Sequence, residues 1–188
     1  RVLFRSAPAV TAEELENQLF KDVLASCETP YDADETGRTT NLELACKAID
    51  GLVLQPGDVF SYNDTLGERT EEKGYQLGPS YVNGEVVQEI GGGICQVSST
   101  LYNCVLTADL EVLERENHMF YPGYVDPGLD CAVNWGTLDF RFRNSSGHAI
   151  RIEASLDGYN VTVKLLGTDD KDYYVKMEYD ILRTYDFS

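Results

Sequence analysis

The sequence predicts an α+β domain in which a long central helix packs on a mostly antiparallel sheet, with two N-terminal helices against its flank. Three observations carry that prediction. Apolar residues recur at helical spacing from Ile94 to about Leu110, directly after Gly91-Gly92-Gly93. An Asn83-Gly84 pair, the dipeptide that suits a tight hairpin, stands between two strand-like runs. From Cys131 onward, short alternating segments are separated by turn formers.

Taken in order, residues 1–10 read as a linker or cut end, too short and interrupted for a complete signal peptide. Thr11 with Glu14 forms a capping-box pattern that predicts a helix to about Ala25. The span from Glu28 to Thr40 contains Pro30 and Gly37 among acidic residues and reads as a loop. Asn41 is expected to cap a second helix through Leu42, Ala45, Ile49 and Leu52, with Gly51 as its stop. A short strand is expected at Asp58–Tyr62, then a polar loop from Asn63 to Thr70. Runs at 79–82 and 85–88 make the hairpin that delivers the chain to the glycines. Beyond the central helix, Leu110 to His118 alternates as a strand would, with His118 at its end. Pro122-Gly123 and Pro127-Gly128 break the chain, and strands are expected at 131–135, 138–143, 148–154 and 159–165. Residues 11–167 thus form the domain, and 168–188 read as an edge strand or a linker.

The central helix is the most informative stretch. Gly91, Gly92 and Gly93 permit positive φ and close backbone approach, and Cys95 falls in the first turn, where free N–H groups and the helix dipole favour a thiolate. On a helical wheel of about 100° per residue, Val97, Leu101, Cys104, Val105 and Ala108 share one arc, the core face. Cys95 lies roughly opposite, with Ser99, Tyr102 and Leu106, a mixed surface suited to lining a pocket.

With 188 residues and 43% apolar content the chain can bury a genuine core. A formal charge of −17 argues against nucleic acid and against charge-driven docking on anionic membranes. No apolar run is long enough for a membrane span. Five cysteines without a CxxC argue against a zinc site, and the two histidines, His118 and His148, offer no ligand pair at helical spacing, so no metal or cofactor is expected. Cys27 and Cys46 flank a polar segment, whereas Cys104 and Cys131 lie in apolar surroundings. Two disulfides paired that way leave Cys95 free and favour an oxidising, extracytoplasmic compartment. The alternative is five reduced thiols.

The pattern from Asn41 to about Gly167 resembles the bacterial VanW family. The resemblance rests on Pro56-Gly57-Asp58-Val59-Phe60-Ser61-Tyr62-Asn63, Gly67-Glu68-Arg69-Thr70, Gly74-Tyr75, the run from Gly91 to Asn103, Glu114-Arg115 with His118, Tyr124-Val125, Gly128 with Asp130, and Leu138 to Asn144. It implies a Gram-positive cell-envelope setting, peptidoglycan or its stem peptides as partner, a link to vancomycin resistance, and attachment through other segments. Against that pattern Cys104 and Cys131 stand where relatives carry small residues, and Cys27 and Cys46 are additions. That supports the two-pair reading and leaves Cys95 as the family's own thiol.

A weaker resemblance, of Gly92-Gly93-Ile94-Cys95-Gln96 followed by a helix and a histidine, is to transglutaminase-like and arylamine acetyltransferase proteins. It implies a papain-type layout: Cys95 as nucleophile, His118 as base, Asp130 or Asp139 orienting the imidazole, and backbone N–H groups with Gln96 as oxyanion donors. Arg69 and Arg115 are candidates for gripping a peptide carboxylate. Two functions follow as expectations. One is a cysteine acyltransferase or peptidase on envelope peptides. The other is a noncatalytic wall-binding or scaffolding domain, with Cys95 structural and the triple glycine packed against the hairpin.

Overall fold

A computed structural model describes residues 19–82 and 85–183. It is an α+β fold with antiparallel sheets, as the sequence predicts, although the strands divide into three sheets. The largest has the order β1-β9-β8-β2, formed by β1 (Asp22–Pro30), β2 (Val53–Leu54), β8 (Ile150–Leu156) and β9 (Asn160–Gly167). The second orders β3 (Val59–Ser61), β7 (Arg141–Arg143) and β6 (Glu111–Glu114), and the third is the hairpin of β4 (Leu77–Val82) and β5 (Glu85–Ile90).

Helix α1 spans Thr36–Ile49, α2 spans Tyr62–Leu66, and the central α3 spans Cys95–Thr107. The wheel of α3 is confirmed in its packing. Val97, Leu101, Cys104 and Val105 are wholly buried, together with Leu42 and Ile49 of α1 and Ile150, Ile152, Val161, Val163 and Leu165 of the large sheet. Each such aliphatic side chain contributes about 1.5–3 kcal/mol by leaving water. Phe60, Phe140 and Phe142 extend this core beneath the second sheet, with ring centroids 5.0 Å apart for Phe60 and Phe142 and 5.7 Å for Phe140 and Phe142.

The N-terminal third differs from expectation. The capping box at Thr11 lies outside the described residues, but the tail of its helix is overturned, because Asp22–Pro30 is strand. Ala25 and Thr29 point inward there while Ser26 and Glu28 are exposed, a period of two that the acidic loop reading concealed. Asn41 does not cap a helix. It lies inside α1, fully buried, where its Nδ2 donates to the carbonyls of Gln76 and Gly92, both at 2.9 Å, and its Oδ1 accepts from the Gln76 N–H at 2.8 Å. A buried amide gains more from those bonds than from one cap, so the helix starts earlier, at Thr36.

The polar loop after Tyr62 contains a helical turn, α2, whose first turn is capped by Ser61 accepting from the Asp64 N–H at 3.0 Å. The strand expected at 131–135 is reduced to single bridges, Glu116 with Ala132 and Asn134 with Leu138. The hairpin pairs Val82 with Glu85, and the Asn83-Gly84 turn expected between them lies outside the described residues. Beyond Gly167, the described residues 168–183 form no strand. No helix among the described residues is long and apolar enough to cross a membrane.

Candidate active site

The glycines work in two different ways. Gly91 and Gly93 have φ of +83° and +102°, conformations that L side chains rarely adopt. Gly92 instead touches backbone, since a Cβ there would stand 2.1 Å from the carbonyl oxygen of Gly78 in β4. Asn41 ties this contact to α1 through the Gly92 carbonyl. The result is a rigid step from β5 into α3, with Cys95 as the first helical residue.

The Cys95 sulfur, half-buried, faces the segment that runs antiparallel to the end of β6. It lies 3.4 Å from the carbonyl oxygen and 3.5 Å from the nitrogen of Val133. That segment is pinned to α3 by two serines: Ser99 Oγ accepts from the Cys131 N–H at 2.9 Å, and Ser98 Oγ donates to the Cys131 carbonyl at 2.8 Å. The same segment positions Asp130. Its Oδ2 takes the His118 N–H at 2.6 Å and lies 2.7 Å from His118 Nδ1, while Arg115 holds Oδ1 at 3.0 Å and the Asp130 carbonyl at 2.8 Å. The His118 ring also lies near enough to the Cys95 sulfur for the two to influence each other's charge. Cys95, His118 and Asp130 therefore form one chain of contacts at the start of α3.

Burial pulls the His118 pKa down, but the Asp130 carboxylate and the Cys95 sulfur outweigh it and lift it from the ordinary value near 6.5 to about 9. Burial also opposes ionisation of Asp130, yet its hydrogen bonds from His118 and the Arg115 charge hold it below the usual carboxylate range. A raised folded-state pKa stabilises the fold fully below about pH 6.5, and this contribution is lost as pH rises through about 9. Wild-type protein is therefore expected to lose on the order of 2 kcal/mol between those limits relative to His118→Gln. Melting curves from pH 6 to 10 check this, and parallel pH profiles for the two proteins would contradict it.

A sequence model described as "VanW like protein" matches residues 37–166, more than half of the chain. The chain belongs to the VanW family. It is 42% identical over 141 residues, 75% of its length, to "Uncharacterized protein YoaR" of Bacillus subtilis, of which it covers 46%. It is 28% identical over 129 residues, 65% of its length, to "Vancomycin B-type resistance protein VanW" of Enterococcus faecalis, again covering 46% of that protein. The chain thus spans about half the length of these curated relatives. No solved structure matches it, so the transglutaminase-like and acetyltransferase resemblance gains no support there.

The VanW-family match contains all three contact residues, and the structure separates them from the other candidates. Asp139 is elsewhere: it accepts from Ser61 Oγ at 2.6 Å and from the Asn63 N–H at 2.8 Å, anchoring α2. Gln96 is no free oxyanion donor. It is fully buried, its Nε2 donates to Thr29 Oγ1 at 2.9 Å and to the Pro30 carbonyl at 2.8 Å, and its Oε1 accepts from Arg38. Ser99 is likewise sealed, and Tyr102 lies under Arg115, 5.1 Å from guanidinium to ring, so neither lines the pocket expected of them. Arg115 itself is committed to Asp130 and to the Gly128 carbonyl, which removes it as a carboxylate grip. His148 sits at the surface, 3.2 Å from Asp170.

Arg69 is different. Its guanidinium lies 5.8 Å from the centre of the Tyr62 ring and 5.9 Å from that of the half-exposed Trp135. Nε and Nη2 are buried with no hydrogen-bond partner among the described residues. The Tyr62 hydroxyl donates to the Ile94 carbonyl at 3.0 Å, so the Arg69 platform abuts the residue before Cys95. Sequence reasoning missed Tyr124 as part of the site. It is half-buried, and burial, with Cys95 nearby, raises its pKa. The usable signal was the two Pro-Gly breaks bracketing it, which mark a turn-rich segment between His118 and Asp130.

The five cysteines are all free thiols, and neither expected bridge is present. Cys46 is buried in α1, its pKa pushed up to about 12 by burial and by Asp50 and Glu43. Cys131 is buried against the start of α3. Cys27 instead neighbours Cys104, whose sulfur donates to the carbonyl of Val163, the register partner of Cys27.

Proposed function

We propose that this chain is a cysteine acyltransferase or peptidase acting on peptides of the bacterial cell envelope, with peptidoglycan stem peptides as the substrate class. The observation that carries the reading is the grouping of Cys95, His118 and Asp130, in which the carboxylate holds Nδ1 at 2.7 Å and the ring lies near the sulfur. Relatives supply the setting: one is named for vancomycin resistance, which turns on peptidoglycan chemistry.

In this mechanism the Cys95 sulfur attacks the carbonyl carbon of an amide while His118 holds the thiol proton. Collapse of the tetrahedral intermediate breaks the C–N bond, His118 returns the proton to the leaving amine, and a thioester remains on Cys95. Water or a second amine then releases the acyl group as an acid or a new amide. The Gln96 and Val97 N–H groups are taken by the Gly93 and Ile94 carbonyls, so the Cys95 N–H is the first-turn donor left for the oxyanion, and the half-buried Tyr124 hydroxyl near Cys95 is the second. Arg69 receives a substrate carboxylate: displacement of the Trp135 indole would let it satisfy Nε and Nη2 together.

The test is to incubate the protein with purified stem-peptide fragments and follow intact mass and products. An adduct that maps to Cys95, together with hydrolysed or transferred product, is the expected result. Saturable binding with neither adduct nor product would favour a wall-binding scaffold, a role that the exposed Met119, Tyr121 and Trp135 beside the site also suit.

A further inference from the structure

We propose that Cys27 and Cys104 are a disulfide pair, closed by a small-molecule or protein disulfide acting as oxidant, that fastens β1 to α3. The register between these elements is set elsewhere. Thr29 Oγ1 and Thr100 Oγ1 are 2.8 Å apart in the core, and Gln96 reinforces that contact from one helical turn away. From Thr100, one further turn along α3 reaches Cys104, an advance of about 6 Å. From Thr29, two residues back along β1 reach Cys27 on the same inward face, about 6.6 Å away. Helix and strand run in opposite directions and keep step, so the second pair stands face to face as the first does.

The β9 strand gives an independent fix. Cys104 Sγ donates to the Val163 carbonyl at 3.1 Å, and Val163 is the register partner of Cys27. Two thiols that converge on one residue from a helix and a neighbouring strand lie close together, and each shifts the ionisation of the other.

The two sulfurs are unequal in a way that suits exchange. Hydrogen bonding from Cys104, against the effect of burial and with help from Thr107, lowers the pKa of the half-buried Cys27. Burial raises that of Cys104. Cys27 is thus the thiolate that attacks a donor disulfide, forming a mixed disulfide and releasing one donor thiolate. Cys104 then attacks the Cys27 sulfur, gives up its proton, and displaces the second donor thiolate. The donor is reduced by two electrons, and the protein loses two hydrogens. The other thiols are placed differently: Cys46 lies in α1, Cys131 at the Ser98–Ser99 end of α3, and Cys95 in the site.

The experiment uses the full chain, reduced and then incubated with oxidised glutathione, alkylated in denaturant and digested without reductant. The expected result is a Cys27–Cys104 cross-linked peptide and a protein lighter by about 2 Da, with Cys46 and Cys131 recovered alkylated. A melting temperature several degrees higher that returns on reduction should accompany it. A bridge from either residue to any other cysteine, or recovery of both as alkylated thiols, overturns the proposal. Both readouts are independent of acyl transfer, so they stand apart from the outcome at Cys95.

Discussion

His118→Ala is expected to slow acylation of Cys95 by about 10³-fold or more, measured as the rate of mass-adduct formation in a single turnover with stem-peptide fragments. Asp130 holds the imidazole twice over, through the backbone N–H at 2.6 Å and the ring at 2.7 Å, so one nitrogen is fixed as the carboxylate's partner and the other is left to the sulfur. Alanine removes the group that takes the thiol proton and protonates the leaving amine, and both steps sit on the path to the thioester. Cys95→Ala sets the zero, because no adduct can form. Asp130→Asn is expected between the two, since it keeps a ring contact but loses the charge that Arg115 supports. Unchanged acylation in a folded His118→Ala protein would remove the imidazole from the mechanism.

Gly92→Ala should produce the largest loss of stability of any single methyl addition to the glycine step, about 3–5 kcal/mol. The added carbon would stand 2.1 Å from the Gly78 carbonyl oxygen and 2.4 Å from its carbon, both backbone atoms with no rotamer to yield. Separating them would also stretch the Asn41 bonds to Gly92 and Gln76. Gly51→Ala is the useful contrast. Its φ is +77° but nothing lies within 4 Å of the new carbon, so the cost should be only about 1 kcal/mol of backbone strain. Denaturant midpoints of the two variants check the comparison, and equal losses would show that conformation rather than contact governs the step.

The sequence made the helix start legible because glycine spacing, helical period and a cysteine coincide within a few positions. The hairpin strands were legible for a similar reason, since two strand-like runs flank Asn83-Gly84. What stayed hidden depends on partners remote in sequence. Gln96 reads as a polar residue beside a nucleophile, and only Thr29 and Pro30, more than sixty positions earlier, show that its amide is spent on holding β1. Asp130 and Asp139 are equivalent by composition and spacing; the bridge between Glu116 and Ala132 decides between them by bringing Asp130 to His118. The N-terminal strand was concealed by acidic residues on its exposed face, and the neighbours of each cysteine stayed hidden because they lie on elements distant in sequence.

The pairing of β1 with β9 places Asp22 opposite Gly167. Lys171 reaches the Ala108 carbonyl just beyond the end of α3, which puts this seam at the helix C-terminus. Cys95 lies at the other end, a separation of roughly 20 Å along a thirteen-residue helix at about 1.5 Å per residue. Chain entering β1 and chain leaving β9 therefore share one mooring point, and any tension carried through them bears on that point while the half-buried thiol lies at the far end. In mechanical terms the fold separates its handle from its tool.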